Sequence, residues 1–214
     1  MRHRLIRLFV LALSCLGLSA QAAEVAVEGQ DYQVLSPAQP TSNPNKIVVT
    51  EFFSYYCSHC YAFYPVVTPW AAKLPSDVAF ERVPVSLGRS SWQPISQAFY
   101  ALQAMGKLEQ MDRLIFSGIH AQNIKLMDEE SITAFVAKQG ISAADFTAAY
   151  NSFGVKSSTV RAEQLMKNHK VSGTPALVVD GKYIVPSDGV KTLEEWLVRA
   201  DKAIALARTE KKKK

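Results

Sequence analysis

Reactive side chains concentrate in one stretch of this chain, Cys57-Ser58-His59-Cys60. Two cysteines separated by two residues lie about one helical turn apart, which is close enough to form a disulfide at the start of a helix. The same pair could also supply two of the four ligands of a zinc site. The spacing alone therefore indicates either redox chemistry or metal binding.

The segment ahead of these cysteines favours the redox interpretation. Residues 46–53 are mostly apolar, β-branched or aromatic, which is typical of a buried strand. A strand that leads directly into a CxxC motif is a redox arrangement. A zinc site would need two more ligands, and His120 and His169 lie too far apart for the usual H-x₃₋₅-H spacing. We therefore expect no metal and no cofactor.

The first 22 residues have the pattern of a cleaved secretory signal peptide. Its parts are a positive start with Arg2, Arg4 and Arg7, an apolar stretch over residues 8–18, and a small-x-small cleavage site at residues 20–22. Cleavage is expected near Ala22 or Ala23. The apolar stretch is shorter than the ~18 residues of a spanning helix. A lipid anchor on Cys15 is the alternative, but Ala12 stands where lipoprotein signals usually have leucine.

Export changes the cysteine count of the mature protein. The full chain has three cysteines, and loss of Cys15 leaves only Cys57 and Cys60. No further pair remains to form a structural disulfide framework. In an oxidising compartment a single pair of this kind can cycle between dithiol and disulfide.

The charge of the chain gives no indication of a nucleic-acid partner. The formal net charge of +5 falls to +2 without the signal segment and to −2 when Lys211–Lys214 are also left out. A nearly neutral body lacks the basic surface that binds phosphate backbones. We interpret the four terminal lysines as a solvated chain end.

The elements around the motif predict an α/β protein. A helix should begin near Cys57 and kink or stop at Pro65 and Pro69, and residues 78–87 should form a strand parallel to 46–53. This arrangement puts the cysteines at the carboxyl end of a parallel strand. A thiol at a helix N-terminus is stabilised as thiolate by the helix dipole and free amides, so Cys57 should ionise below neutral pH, with His59 adding positive charge.

The rest of the chain divides into a helical block and a second half of the sheet. Residues 89–159 show amphipathic helical periodicity, including a helix that begins after Ser142 and ends at Gly154. Two short strands around Asp180-Gly181 and a last helix capped by Thr192 follow. We therefore predict a domain of residues 23–88 and 160–214, interrupted by a helical insertion of residues 89–159.

Three motifs in this order resemble the DsbA family of periplasmic thiol oxidases. They are Glu51-Phe52-Phe53-Ser54, Cys57-Ser58-His59-Cys60, and Gly173-Thr174-Pro175 ahead of the Asp180-Gly181-Lys182 hairpin. The resemblance covers nearly all of residues 24 to 207. It implies a thioredoxin fold with a helical insertion, and a monomer that uses no metal and no cofactor.

The resemblance also implies a role for each motif residue. Cys57 is the exposed nucleophile, Cys60 its buried partner and His59 a tuner of Cys57. Glu51 is the buried acid behind the disulfide, and Thr174 with the cis-proline Pro175 faces the disulfide and pairs with substrate. Ser58 stands where the family usually has proline. In the family, the dipeptide that is Ser58-His59 here tunes the pKa of the first cysteine and the redox potential. Tyr64 stands where many members have an acidic residue.

The expected activity is donation of the Cys57–Cys60 disulfide to reduced, newly exported proteins in the periplasm. Reoxidation by a quinone-linked membrane protein of the DsbB type is implied by the family. A disulfide isomerase or a reductant of the same fold is the main alternative, although no obvious dimerisation domain precedes the strand at residues 46–53. A third possible function is that of a binding module without catalytic activity. Such a protein would make no use of the acidity expected for the dithiol.

Overall fold

The fold is described from a computed structural model over residues 25–213. Its strands are β1 (Gln33–Val34), β2 (Ile47–Phe53), β3 (Val78–Pro84), β4 (Ala176–Val179) and β5 (Tyr183–Val185). Its helices are α1 (Ser58–Ala71), α2 (Gln93–Ala104), α3 (Leu108–His120), α4 (Glu129–Lys138), α5 (Ala143–Tyr150), α6 (Phe153–Asn168) and α7 (Leu193–Lys211), with a 3₁₀ turn at Ser90–Trp92. The signal peptide and its cleavage site lie outside the described residues.

The five strands form one mixed sheet in the order β1-β5-β4-β2-β3. β2 runs parallel to the edge strand β3 and antiparallel to β4. All seven residues of β2 are buried, which explains its apolar, β-branched sequence. The predicted α/β class and the parallel pairing of these two segments are confirmed. The loop after β2 leads directly into α1, so the CxxC motif lies at the carboxyl end of a parallel strand.

Helices cover both faces of the sheet. On one face, α1 and α7 pack together through Phe63 and Trp196, whose ring centroids lie 4.7 Å apart. On the other face, Ala162 and Met166 of α6 pack against Phe52. Helices α2 to α5 form a separate hydrophobic core, which contacts the sheet at Phe53, the last residue of β2. Within residues 25–213, no helix combines the length and apolar character needed to cross a bilayer.

We predicted that α1 would kink or stop at Pro65 and Pro69; the helix continues through both, so a stop is wrong, and a kink stays a prediction. Each proline removes one amide donor from the helix. The inner face of α1 nevertheless buries Cys60, Phe63 and Val67 completely. Tertiary packing of this apolar face stabilises the helix more than the two missing hydrogen bonds destabilise it.

The helix after Ser142 begins as predicted but ends earlier than Gly154. The Ser142 side chain caps α5, and a new cap at Ser152 then starts α6. The Ser152 hydroxyl accepts the Val155 amide at 3.3 Å. Gly154 therefore lies in the first turn of α6, where amides have no partner within the helix and a glycine costs little. The predicted domain boundary at residue 159 falls inside α6 and stays a prediction.

Lys211 is not part of a solvated chain end. Its ammonium group donates to the carbonyl oxygen of Lys46 at 2.6 Å and to that of Pro44 at 3.2 Å. It also lies 3.0 Å from a carboxylate oxygen of Asp180. The interpretation of the terminal lysines as purely solvated is therefore wrong at Lys211, which ties the end of α7 to the loop before β2.

Candidate active site

Cys57 and Cys60 occupy the first turn of α1. Cys57 is the N-cap residue, with extended backbone angles, and its amide donates to the Ser54 carbonyl at 3.1 Å. Its side chain is half-buried, whereas Cys60 one turn later is completely buried. Both are free thiols in this structure. The geometry offers one sulfur to a protein substrate and shields the other.

Cys57 is strongly acidic. A hydrogen bond from the Cys60 side chain is the largest of the effects that lower the pKa of Cys57 to about 5, while partial burial acts in the opposite direction. The Thr174 side chain and the backbone amides of Cys60 and His59 lower this pKa further. These amides are among the unpaired donors of the first helical turn, which stabilise negative charge.

Cys60 has the opposite chemistry. Burial raises the pKa of Cys60 well above its ordinary value, and hydrogen bonding to Cys57 and the negative charge of Cys57 raise it further. At neutral pH Cys57 is therefore a thiolate while Cys60 keeps its proton. A thiolate with a low pKa is a good leaving group in thiol–disulfide exchange.

The loop before β4 faces Cys57. The Cys57 thiol donates a hydrogen bond to the Thr174 carbonyl oxygen at 3.1 Å, and the Thr174–Pro175 peptide bond is cis, as predicted. The Thr174 hydroxyl is buried and, among the described residues, has no hydrogen-bond partner. A Cys57 thiolate gives this hydroxyl an acceptor.

We expect Thr174→Val to raise the pKa of Cys57 above about 5, because valine keeps the shape of threonine and removes the hydroxyl donor. The ultraviolet absorbance of the thiolate, followed against pH in the reduced protein, measures this pKa. Thr174→Ser is the matched control, since it keeps the hydroxyl and should titrate near the wild type. Equal pKa values in the valine variant and the wild type would contradict this role of Thr174.

Glu51 lies behind the dithiol on the central strand β2. Its side chain is 1% exposed, which excludes a solvated carboxylate at the edge of the sheet. One carboxylate oxygen accepts a hydrogen bond from Arg82 Nε at 2.8 Å; the other is buried and has no partner among residues 25–213. Burial raises the pKa of Glu51, and the Arg82 charge only partly offsets this effect.

Comparison with known proteins gives a consistent assignment. A family model described as the DSBA-like thioredoxin domain matches residues 48–198. The thiol:disulfide interchange protein DsbA of Pseudomonas syringae pv. tomato is 38% identical over 204 residues, which are 95% of this chain and 95% of the relative. The DsbA of Pseudomonas aeruginosa is 37% identical over the full length of both chains. This chain belongs to the DSBA-like thioredoxin family.

A solved structure supports the same family at the level of the fold. The crystal structure of Pseudomonas aeruginosa DsbA superimposes with a TM-score of 0.81 at 38% identity, over 86% of this chain and 95% of that one. The predicted thioredoxin fold with helices inserted in it is confirmed. As a member of this family, the protein is a thiol:disulfide oxidoreductase.

Ser58 and His59 lie exposed between the two cysteines of this DSBA-like site. His59 contributes its backbone amide to the stabilisation of the Cys57 thiolate. Among the described residues, no hydrogen bond is made by the imidazole ring of His59. The tuning roles of Ser58 and of the His59 ring therefore stay predictions.

The other two described histidines have structural hydrogen bonds. His120 Nε2 donates to the Tyr55 carbonyl oxygen at 2.8 Å, and the buried His169 donates through Nδ1 to the Leu165 carbonyl oxygen at 2.8 Å. No group of three or more histidine, cysteine and acidic side chains suited to a metal ion occurs in residues 25–213.

Two charged residues of the site were missed by the sequence analysis. Arg82 on β3 is the register partner of Glu51 on β2, and Asp112 on α3 accepts a hydrogen bond from Arg82. The predicted parallel pairing of residues 78–87 with residues 46–53 was the available signal for Arg82, because this pairing places a charged residue beside Glu51. Asp112 gave no signal, since its contact with β3 depends on how the helical block packs.

Proposed function

We propose that this thiol:disulfide oxidoreductase donates its Cys57–Cys60 disulfide to newly exported proteins and so promotes their oxidative folding. The observation that carries this proposal is the asymmetry of the two thiols. Cys57 is accessible and has a pKa of about 5, whereas Cys60 is buried and stays protonated. A stable Cys57 thiolate favours the dithiol form of the enzyme, and this preference makes the disulfide form an oxidant.

The reaction is two successive thiol–disulfide exchanges. A substrate thiolate attacks Cys57 Sγ, a bond forms between these sulfurs, and the Cys57–Cys60 bond breaks to release a Cys60 thiolate that takes up a proton. A second substrate thiolate then attacks the substrate sulfur of the mixed disulfide and releases the Cys57 thiolate. The substrate loses two electrons and gains a disulfide, and the enzyme gains two electrons.

We assign supporting roles to the residues that surround the two sulfur atoms, according to their positions. Glu51 supplies the proton to the departing Cys60 thiolate and takes it back during reoxidation. The segment of Thr174 and Pro175, which contacts Cys57, pairs with an extended stretch of the substrate. The His59 ring, exposed beside Cys57, adds positive charge when it is protonated.

We further propose a periplasmic monomer that is reoxidised by a DsbB-like membrane protein coupled to quinone. Such a partner would accept the two electrons that the enzyme takes from its substrate. Export would follow from a signal peptide in residues 1–22, cleaved near Ala22 or Ala23, rather than from lipid attachment at Cys15. The helical block of residues 89–159 would act as the insertion domain.

Equilibration of the protein with glutathione redox buffers tests the proposal. We expect a reduction potential well above that of the glutathione couple, and rapid oxidation of a reduced, unfolded model protein by stoichiometric oxidised enzyme. A potential below that of glutathione would overturn the oxidase assignment in favour of a reductant. A protein that mainly reshuffles the disulfides of a scrambled substrate, with little net oxidation, would support the isomerase instead.

A further inference from the structure

Asp112 connects the helical block to the carboxylate behind the dithiol. It lies on α3 with its side chain 8% exposed, and one of its oxygens accepts a hydrogen bond from Arg82 Nη1. Arg82 donates through Nε to Glu51 at 2.8 Å. The other Asp112 oxygen accepts the Tyr55 hydroxyl at 2.5 Å. Two buried carboxylates therefore share one guanidinium group.

The shared cation is itself enclosed. The Arg82 guanidinium carbon lies 3.9 Å from the centroid of the Phe53 ring and 5.1 Å from that of Tyr64. Its Nη2 group is buried without a hydrogen-bond partner among the described residues. The Arg82 side chain is only 12% exposed, so water replaces little of the charge that it gives to one carboxylate, and the two acids compete for it.

The competition is unequal. Asp112 has donors on both oxygens, from Arg82 and from Tyr55, whereas Glu51 has a donor on one oxygen only. The ionised form of Glu51 is therefore incompletely satisfied by hydrogen bonds, which favours a proton on its unpaired oxygen. The negative charge of Asp112 acts in the same direction and raises the pKa of Glu51.

The network is open to solvent on one side. Arg82 and Asp112 line a cleft of about 610 Å³ beside the edge strand β3, and Glu51 is not part of its lining. Toward the dithiol, the Cys57 charge raises the pKa of Glu51, and the Glu51 charge raises the pKa of Cys60. Glu51 therefore lies between the sulfurs and the solvent-facing end of the network.

We propose that Asp112 is a positioning residue for the redox reaction: by sharing Arg82 with Glu51, it sets how readily the Glu51 carboxyl exchanges a proton with Cys60. This inference rests on the relay role proposed for Glu51. The charged and titratable groups that act on Glu51 are Arg82 of β3, Asp112 of α3, the N-cap residue Cys57 and Cys60 of α1. Tyr55 of the loop before α1 and Tyr64 of α1 face Asp112 and Arg82 in the same network. Of the acids among these groups, Asp112 is the one contributed by the helical block.

The coupling is tested by carboxyl ¹³C NMR of the reduced protein labelled at glutamate, with Glu51→Gln used to assign the Glu51 signal. We expect Asp112→Asn to lower the titration midpoint of Glu51 by about one unit, since Arg82 then serves Glu51 alone. Asp112→Glu keeps the charge and should stay close to the wild type. Glu81→Gln is the matched control, because Glu81 precedes Arg82 on β3 but accepts its hydrogen bond from Thr50.

A kinetic measurement connects this coupling to the reaction. Single-turnover oxidation of a thiol peptide is measured against pH for Asp112→Asn and for the wild type. The rate of Asp112→Asn divided by the rate of the wild type should fall as pH rises through the titration midpoint of Glu51 in the variant. A deprotonated Glu51 cannot protonate Cys60. An unshifted NMR midpoint, or a ratio that does not change with pH, overturns the proposal. Failure of the wild type to oxidise the peptide would instead count against the oxidase function.

A second variant tests the same network in the opposite direction if Asp112→Asn folds poorly. Tyr55→Phe removes the hydroxyl that donates to Asp112 at 2.5 Å, so more of the Asp112 charge must be balanced by Arg82. Less of the Arg82 charge then remains for Glu51, and the Glu51 midpoint should rise. A downward shift or no shift in this variant would overturn the proposal, whatever its stability.

Discussion

Cys57→Ser is expected to reduce the oxidation of a reduced model protein to the uncatalysed rate. Every productive step in the proposed exchange passes through Cys57 Sγ, the one sulfur of the pair that is accessible to a substrate. A serine hydroxyl neither forms the disulfide nor ionises near neutral pH. The rate of regain of activity by a reduced, disulfide-dependent substrate enzyme measures the effect.

Cys60→Ser is the matched variant for this experiment. It keeps the Cys57 nucleophile and a hydroxyl donor beside it, but it cannot form the intramolecular disulfide. When it is mixed with a substrate that already carries a disulfide, the Cys57 thiolate attacks that bond and releases one substrate thiolate. We expect the resulting mixed disulfide to accumulate on non-reducing gels, whereas Cys57→Ser should accumulate none. Substantial oxidase activity in Cys57→Ser would show that the reaction does not start at this sulfur.

The reduced protein is expected to be more stable than the oxidised protein at neutral pH, contrary to the usual effect of a disulfide. Closing a loop of only a few residues removes little conformational entropy from the unfolded chain. The reduced form gains more folding free energy than the disulfide provides, because its Cys57 thiolate is stabilised in the folded state. Each unit of pKa depression contributes at most about 1.4 kcal/mol, and less for a half-exposed group screened by solvent.

The pH dependence of this stability difference has a definite sign. The pKa of Cys57 is about 5 in the folded protein, against about 8.5 for an unfolded cysteine. Between these values the unfolded reduced chain binds more protons, so the stability of the reduced form rises with pH. The gain is complete above about pH 8.5 and is lost as pH falls through about 5. The oxidised form has no thiol to titrate.

Urea unfolding of both redox forms, at neutral pH and below pH 5, measures the difference directly. We expect the advantage of the reduced form to be large at neutral pH and to shrink in acid. The same free energy should appear in the reduction potential, since ~30 mV corresponds to ~1.4 kcal/mol for a two-electron couple. An oxidised form that is the more stable at neutral pH would count against the oxidase and favour a reductant.

Features that depend on local patterns could be predicted from the order of the residues. A buried strand, a CxxC motif at a helix start and a Gly-Thr-Pro segment before a hairpin were enough to predict the fold class and the family. The capping residue Ser142 and the periodicity of residues 89–159 predicted the helical block. These features are readable because backbone hydrogen bonding and side-chain periodicity act over a few residues.

Features that depend on which surfaces meet became visible in the packed fold. Helix α1 passes Pro65 and Pro69 because its buried face is held by the core. Lys211 is anchored because α7 ends beside Asp180 and the loop before β2. Neither result could be derived from the propensities of the residues concerned, since packing energy outweighs propensity.

The charges around Glu51 are the clearest case of this limit. The sequence indicated a buried acid at Glu51, but its environment is set by Arg82 on a neighbouring strand and by Asp112, 61 positions further along the chain. A pKa in a protein interior depends on burial and on charges a few ångströms away, not on neighbours in sequence. The identity of the redox pair is therefore local information, whereas the proton affinity of the groups behind it is a property of the folded molecule.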